Sequence, residues 1–304
     1  LNVKPVVPLG WSLEGWTQAR GKEIRMIDFS VVGKKYGPFS FVYTWKETVL
    51  YALGIGAQAE ELPFIYENVK GGLKVFPSFS IVMGSPLWKE LFKDMKHVDF
   101  SRFIHGEQGV RLYRPIPPEG KTVVEGGITN IYDKGKGAVF VWRMNVMTER
   151  GELLAETESG IFYVGEGGFG GDPGPKAESL EPPQGTRPDF ATSYFIPGNQ
   201  AALYRLCGDI NPLHVDPEFA KRGGFPRPIL HGLCTYGHAV RAILHNACEG
   251  DVERFREFKA RMSGVVYPGD TLLTEGWRDK EGHYLIQCRT DRGVALSQAY
   301  ARVE

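Results

Sequence analysis

Within six residues the chain sets a carboxylate, an amide and an imidazole, Asp209, Asn211 and His214, in the run Gly-Asp-Ile-Asn-Pro-Leu-His. A carboxylate and an imidazole facing one water form an acid/base couple: histidine titrates near neutrality, and a carboxylate can take a proton or orient its partner. The Asn211-Pro212 step disfavours a helical residue at 211. It suits a turn or a helix start with Pro212 at the first helical position, a reversal that can bring Asp209 and His214 toward one point. His231-Gly232 follows, after Pro226 and Pro228 and ahead of the apolar run Leu233 to Leu244. If that run is a helix, as its length and flanks suggest, Gly232 lies at its start. Free backbone N–H groups there could polarise a carbonyl oxygen, and the missing Cβ lets a ligand approach the backbone. Taken alone, Asp-x-Asn-Pro is more often a surface turn, and a single histidine beside an apolar segment is more often structural. The joint spacing, D-x-N-P-L-H and then P-I-L-H-G-L-C, is much harder to obtain from turn chemistry alone.

The elements that must hold these groups occur twice. In the first half, Thr48 to Ala59 reads as an apolar helix, followed by strand-like runs at Gly109 to Tyr113, Thr122 to Asp133, Ala138 to Thr148 and Leu153 to Val164. In the second half a helix at Gly198 to Cys207 and the motif turn precede an apolar helix at Ile229 to Asn246. Strand runs follow at Phe255 to Val266, Thr271 to Asp279, His283 to Thr290 and Val294 to Val303. Helix first and antiparallel strands afterwards, twice over, is an α+β architecture with an internal duplication. Between the halves, Gly165 to Pro188 is too rich in Gly and Pro to pack a core and reads as a linker. The divisions expected are an N-terminal extension (1–35), a first repeat (36–165), the linker (166–189) and a second repeat (190–304).

Composition narrows the function classes. A chain of 304 residues exceeds one ordinary core, and 42% hydrophobic with 24% charged residues is that of a soluble globular protein. Lys+Arg and Asp+Glu both number 36, so no global field draws nucleic acid or an anionic membrane; neither is expected as a partner. No apolar run is long enough to span a bilayer, and no signal-peptide pattern opens the chain. The four cysteines, Cys207, Cys234, Cys248 and Cys288, lack a CxxC spacing and are expected as reduced thiols in a cytoplasmic or peroxisomal compartment. Gly54-Ile55-Gly56-Ala57-Gln58-Ala59 satisfies G-x-G-x-x-A but sits late in a helical pattern, and the linker glycines lack a G-K-[ST], so neither nucleotide loop is expected. His231, His238 and His245 recur every seven residues on one helix face, a line rather than a convergence of ligands; no metal is expected. Asp216 is expected as a turn or cap residue.

The motif resembles the signature of the MaoC-like, (R)-specific enoyl-CoA hydratases 2. Further blocks are similar to the two-repeat form of that family, found within peroxisomal multifunctional enzyme type 2. They are YTWKETVLYALGIGA from Tyr43, IHGEQ from Ile104, DKGKG from Asp133 and GGFGG from Gly167. The resemblance runs from about Tyr36 to the C-terminus. It implies a double hot-dog fold, in which each repeat is a central helix wrapped by a curved antiparallel sheet. It also implies hydration of trans-2-enoyl-CoA to (3R)-3-hydroxyacyl-CoA, reversible as a dehydration, in fatty-acid β-oxidation chemistry. The substrate is then an acyl-CoA thioester of medium, long or bulky chain; no separate cofactor is implied, because coenzyme A belongs to the substrate, and a homodimer is expected. Chain ends Leu1 and Ala301-Arg302-Val303-Glu304, the latter not an SKL-type signal, favour a free-standing cytoplasmic enzyme, with a peroxisomal location if it is excised from a larger one.

Residue by residue, the resemblance implies His105, Gly106 and Lys134 as acyl-CoA contacts from the first repeat. Asp209, Ile210, Asn211, Pro212, Leu213, His214, Gly232 and Met262 are the corresponding positions of the second. The family often has an aromatic where Met262 stands, so an apolar contact is expected there without stacking; Lys134 reads equally well as a turn lysine. The chemistry needs a water held and deprotonated, a proton delivered to C2 and a stabilised thioester oxygen. Asp209 is expected as principal base and His214 as the donor to C2, with the reverse physically open because the pair titrates together. Asn211 orients them, and the Gly232 N–H serves the oxyanion. The first repeat has no D-x-N-P-x-H, so it is expected to supply the acyl pocket without a catalytic site. Competing readings are a hot-dog acyl-CoA thioesterase and a silent acyl-CoA-binding subunit.

Overall fold

Thr44 opens the first helix of the fold. Its side chain accepts from Lys46 N while the Glu47 carboxylate accepts from Thr44 N, a reciprocal cap that starts α1 (Trp45–Gly54). The computed structural model describes residues 27–95, 98–99, 102–176 and 179–304. Most of the expected N-terminal extension, residues 1–26, lies outside the described residues.

α1 ends earlier than the apolar run suggests. Gly56 has a positive φ of 84°, and a Cβ there would fall 2.5 Å from Nε2 of His238, so the chain turns away at a point only glycine can occupy. His238 lies on the other central helix, α5 (Gly232–Asn246), where a Cβ on Gly237 would meet Ile55 Cγ2 at 2.3 Å. These two glycines let side chains of each repeat pack directly on the backbone of the other. Carbonyls at the end of α1 also bond to the second repeat: Leu53 O and Gly54 O accept from the Gln200 amide, and Gly54 O accepts from the Cys234 thiol. Between the central helices Glu61 binds Arg241 and His245.

The strands are β1 (Tyr36–Tyr43), β2 (Phe103–Leu112), β3 (Gly120–Asp133), β4 (Gly137–Thr148) and β5 (Leu153–Val164), then β6 (Phe190–Phe195), β7 (Phe255–Met262), β8 (Thr271–Arg278), β9 (Tyr284–Thr290) and β10 (Gly293–Val303). They form one ten-stranded antiparallel sheet, in the order β1-β3-β4-β5-β2-β7-β10-β9-β8-β6. Each half therefore runs first, third, fourth, fifth, second strand from its outer edge inward. The two second strands pair at the middle, from Glu107↔Arg261 to Arg111↔Glu257. Alternation shows why β5 is a strand: Ala155, Thr157, Ser159, Ile161 and Tyr163 are buried while Glu156, Glu158, Gly160, Phe162 and Val164 are half-buried. Each repeat opens on a strand, β1 or β6, where the sequence suggested that a helix comes first. The IHGEQ block lies inside β2, whose strand run was expected to begin only at Gly109. Other helices are α2 (Ser85–Asp94) in the first repeat, which also has single turns at Leu62–Ile65 and Phe79–Val82, and α3 (Gln200–Tyr204) and α4 (Pro217–Arg222) in the second. α5 is the long one, and its residues from Cys234 to Leu244 are all buried.

The Gly- and Pro-rich segment between the repeats is laid against the β3–β4 turn. The Asp133 carboxylate accepts from the backbone N–H of Gly168, Gly170 and Gly135 at 2.6 to 2.8 Å, and those donors draw its pKa down to about 2. Asp133 N donates to Asp172 O, Gly165 N to Lys136 O, and Trp277 Nε1 to Thr186 O.

Candidate active site

The motif turn is built by local chemistry. Gly208, at φ 127°, reverses the chain after α3 and a single turn of 3-10 helix (Arg205–Cys207). The Asn211 side chain then accepts from Leu213 N at 3.0 Å and caps a second 3-10 turn (Pro212–His214), with Pro212 at its first position. Asn211 N in turn donates to the Asp209 carboxylate at 3.2 Å. Asn211 thus shapes the turn through its own side chain and braces Asp209 through its backbone. Asp216 caps α4 by accepting from Glu218 N and Phe219 N, the cap role expected of it.

Out of this turn His214 points inward and Asp209 remains exposed. His214 Nδ1 lies 2.9 Å from the Ile229 carbonyl. A carbonyl only accepts, so Nδ1 carries the hydrogen and Nε2 presents a lone pair. Burial pushes the His214 pKa below the ordinary histidine value, against the opposing pull of the Asp209 charge and the Ile229 carbonyl. The ring therefore rests neutral near pH 7, as an acceptor at Nε2.

His231, absent from the set of expected site residues, completes the cluster. Its ring stacks on His214 with centroids 3.6 Å apart and planes at 28°, and its Nε2 lies 3.1 Å from the main-chain oxygen of Asp209. Burial, followed by the neighbouring His214, lowers its pKa to about 4. One ligand atom each from Asp209, His214 and His231 falls within 4.8 Å of the others. Stacking works against a metal here, because nearly parallel rings hold their in-plane lone pairs side by side rather than aimed at one ion. The heptad row of histidines disperses: His238 Nδ1 bonds to Cys234 O, and His245 Nε2 bonds to Glu61.

Gly232 is the first residue of α5, and its N–H has no acceptor among the described residues, as the first turn of a helix requires. A Cβ added to it would sit 3.4 Å from Met262 Cγ, which places the end of β7 against the start of α5. Beside Met262 the two repeats join. β2 there carries a bulge against β5, with His105 paired to Ile161 and Glu107 to Gly160, so Gly106 is the extra residue; a Cβ on it would come within 3.2 Å of Gly160 O. Bulges re-aim side chains, and this one accompanies the turn of His105 toward the second repeat. Burial lowers the His105 pKa to about 4, with the 3.1 Å contact to Gln108 Oε1 and the Asp209 charge opposing. Gln108 is itself fixed, donating to Gly109 O and accepting from Ser159 Oγ.

Asp209, His214, Gly232 and Met262 thus meet at the seam of the two repeats, with His105 and Gly106 on its other side. Ile210, 69% exposed, and Pro212 face solvent beside Asp209, while Leu213 is half-buried against Gly223. Lys134 is placed differently: its amine bonds to Pro173 O and lies 5.6 Å from the Tyr132 ring, so its contacts are with its own turn and the linker.

Comparison with known proteins accords with this geometry. The description "MFE-2 hydratase 2 N-terminal domain" matches residues 41–165, and "MaoC like domain" matches 178–293. The probable enoyl-CoA hydratase 2 of Dictyostelium discoideum is 36% identical over 282 residues, covering 90% of this chain and 95% of that one. This chain belongs to the MaoC-like hydratase 2 family. Peroxisomal multifunctional enzyme type 2 of Mus musculus is 38% identical over 88% of the chain, which spans only 37% of that longer protein. Among solved structures, a MaoC-like dehydratase from Phytophthora capsici superposes with a TM-score of 0.82 at 30% identity, covering 91% of this chain and 98% of its own. The α+β double hot-dog fold implied by the family resemblance is the fold observed. Hydratase 2 enzymes are hydro-lyases, and this chain is one of them by family.

Proposed function

We propose that the protein adds water to trans-2-enoyl-CoA to give (3R)-3-hydroxyacyl-CoA, and runs the dehydration in reverse. The observation that carries this reading is the placement of a neutral imidazole lone pair and a carboxylate beside an uncommitted helix N-terminal N–H. The thioester oxygen accepts from Gly232 N–H, which stabilises the enolate-like charge as it forms. A water held by the Asp209 carboxylate and His214 Nε2 lies over C3. The His214 tautomer favours His214, rather than the Asp209 expected from sequence, as the base, and His214 keeps its expected role as donor to C2. A neutral ring has no proton to give at the outset, so Nε2 takes one from water while Asp209 orients it. The hydroxyl oxygen bonds to C3, the proton on Nε2 passes to C2, and one water has been added with the ring neutral again.

In this scheme residues 190–304 supply the chemistry and residues 36–165 the wall for the acyl chain, with His105, Gly106 and Met262 lining the seam. No separate cofactor enters it. The test is a hydration assay over a chain-length series of trans-2-enoyl-CoAs, with chiral analysis of the product and a thiol reagent to detect free coenzyme A. Formation of the (3R) alcohol without thiol release supports the proposal. An (S) product, thiol release without hydration, or no turnover across the series overturns it.

A further inference from the structure

His231 is buried, 1% exposed, and stands immediately before α5 without capping it. A residue in that position ordinarily turns its side chain to the free N–H groups of the first helical turn. His231 instead sends its ring to the catalytic turn, with Nε2 3.1 Å from the Asp209 carbonyl. That carbonyl can only accept, so Nε2 carries the hydrogen, the opposite tautomer from His214, whose hydrogen is on Nδ1 toward Ile229 O. One face of the ring lies on His214 at 3.6 Å, and Tyr204 packs against it at 4.9 Å with planes at 53°. The ring thus touches the backbone of one reacting group and the side chain of the other, while its own chain continues into Gly232, the oxyanion donor.

The turn needs such a tether. Asp209 is exposed and follows Gly208, whose φ of 127° is open mainly to glycine and around which no atom would lie within 4 Å of an added Cβ. Packing does not hold the chain on that side. Asn211 N and His231 Nε2 are the donors that fix Asp209, one on its carboxylate and one on its carbonyl. The other ring nitrogen, Nδ1, is buried without a partner among the described residues. The site thus tolerates an unsatisfied buried acceptor, a cost of the kind that persists where another constraint requires it.

We propose that His231 is a positioning residue for the hydration: as the Nε2–H tautomer it ties the Asp209 carbonyl to the start of α5 and forms the floor on which the His214 ring lies. It touches neither substrate nor the reacting water, and acts through the distance it sets between the acid/base pair and the Gly232 N–H. This rests on the function proposed above. Misplacement of a reacting pair by about 1 Å costs roughly 10²-fold in rate.

Two variants separate its roles. His231→Phe keeps a flat ring under His214 and removes the donor to Asp209, whereas His231→Gln keeps a donor within reach of that carbonyl. The expected result is a fall in kcat of about 10²-fold for the Phe variant, with KM within about threefold of the starting enzyme, and recovery to within about tenfold of wild type for the Gln variant. A Phe variant retaining more than a third of kcat, equal losses in both variants, or a loss carried by KM overturns the proposal. Should the Phe variant fail to fold, histidine-selective ¹⁵N NMR of the wild-type protein reads the tautomers directly. An Nε2–H signature for His231 beside an Nδ1–H signature for His214 supports the proposal, and the same tautomer in both rings overturns it. Wild-type hydration activity is scored separately, so failure of the function proposed above is distinguishable from failure of this one.

Discussion

Replacing Glu61 by Gln tests how the two repeats are locked together. The Glu61 carboxylate sits between the central helices, its side chain 11% exposed, and accepts from Arg241 Nε and Nη2, His245 Nε2 and Gln58 N at 2.5 to 2.9 Å. Burial by itself would raise its pKa; the donors from His245 and Arg241 outweigh that and hold it at about 2. Against an unfolded value near 4.3, a shift of about 2 units amounts to roughly 3 kcal/mol. A depressed carboxyl contributes its stability above the unfolded pKa and loses it as pH falls toward the folded one, so the full amount is present at pH 7 and declines between about pH 4.3 and 2. Breaking one side of a buried ion pair gives a similar figure, about 3 to 5 kcal/mol, since Arg241, 6% exposed, is left without its counter-charge. At roughly 2 °C per kcal/mol for a chain of this size, Glu61→Gln lowers Tm by about 6 to 10 °C at pH 7. The measurement is thermal unfolding followed by circular dichroism or calorimetry, with kcat at 25 °C as a control expected to change by less than about threefold. A Tm within 2 °C of wild type would refute the reasoning. The double variant Glu61→Leu with Arg241→Met should recover most of the loss, because the penalty lies in the orphaned charge rather than in a missing attraction.

Three further outcomes follow from the geometry. Asp209→Asn and His214→Ala each reduce kcat by about 10² or more while leaving Tm within a few degrees; retention of a tenth of wild-type kcat by either removes it from the acid/base pair. Gly232→Ala places a methyl where the thioester oxygen must approach and 3.4 Å from the adaptable Met262 side chain, so kcat/KM falls about tenfold or more with Tm unchanged, and full activity would relieve this N–H of its oxyanion role. The rings of half-buried His105 and of buried His231 and His238 are each held near pKa 4 chiefly by desolvation, so below an unfolded value of about 6.5 the unfolded chain binds protons that the folded one refuses. Stability therefore declines as pH drops from 6.5 toward 4, and a Tm flat across that interval, measured at constant ionic strength, would contradict their burial as neutral rings.

What the sequence showed and what it hid divide along the range of the forces involved. The Asp209 to His214 turn was legible because its determinants lie within four residues of one another: the Asn211 cap, the fixed φ of Pro212 and the free φ of Gly208. Strands β3, β4, β5, β7, β8, β9 and β10 were legible because one face of each meets the core and its pattern survives in the residue order. The missed opening strands, β1 and β6, are the two outer edges of the sheet; β1 is broken by Gly37-Pro38, and β6 is short and nowhere fully buried, so neither carries that alternation strongly. The end of α1 depends on His238, far along the chain, crowding Gly56, a constraint that an apolar run cannot reveal. The cluster itself shows the same limit. His231 was visible beside Gly232, but its partnership with Asp209 requires the start of α5 to fold back over the motif turn. His105 reaches the seam because β2 pairs with β7 and bulges at Gly106, so the half of the chain without a catalytic motif still builds one side of the site. A duplicated fold thus permits what a single repeat does not. In the mechanism proposed above, one repeat carries the acid/base turn, and the other, with the shorter central helix, places His105 and Gly106 at the shared seam.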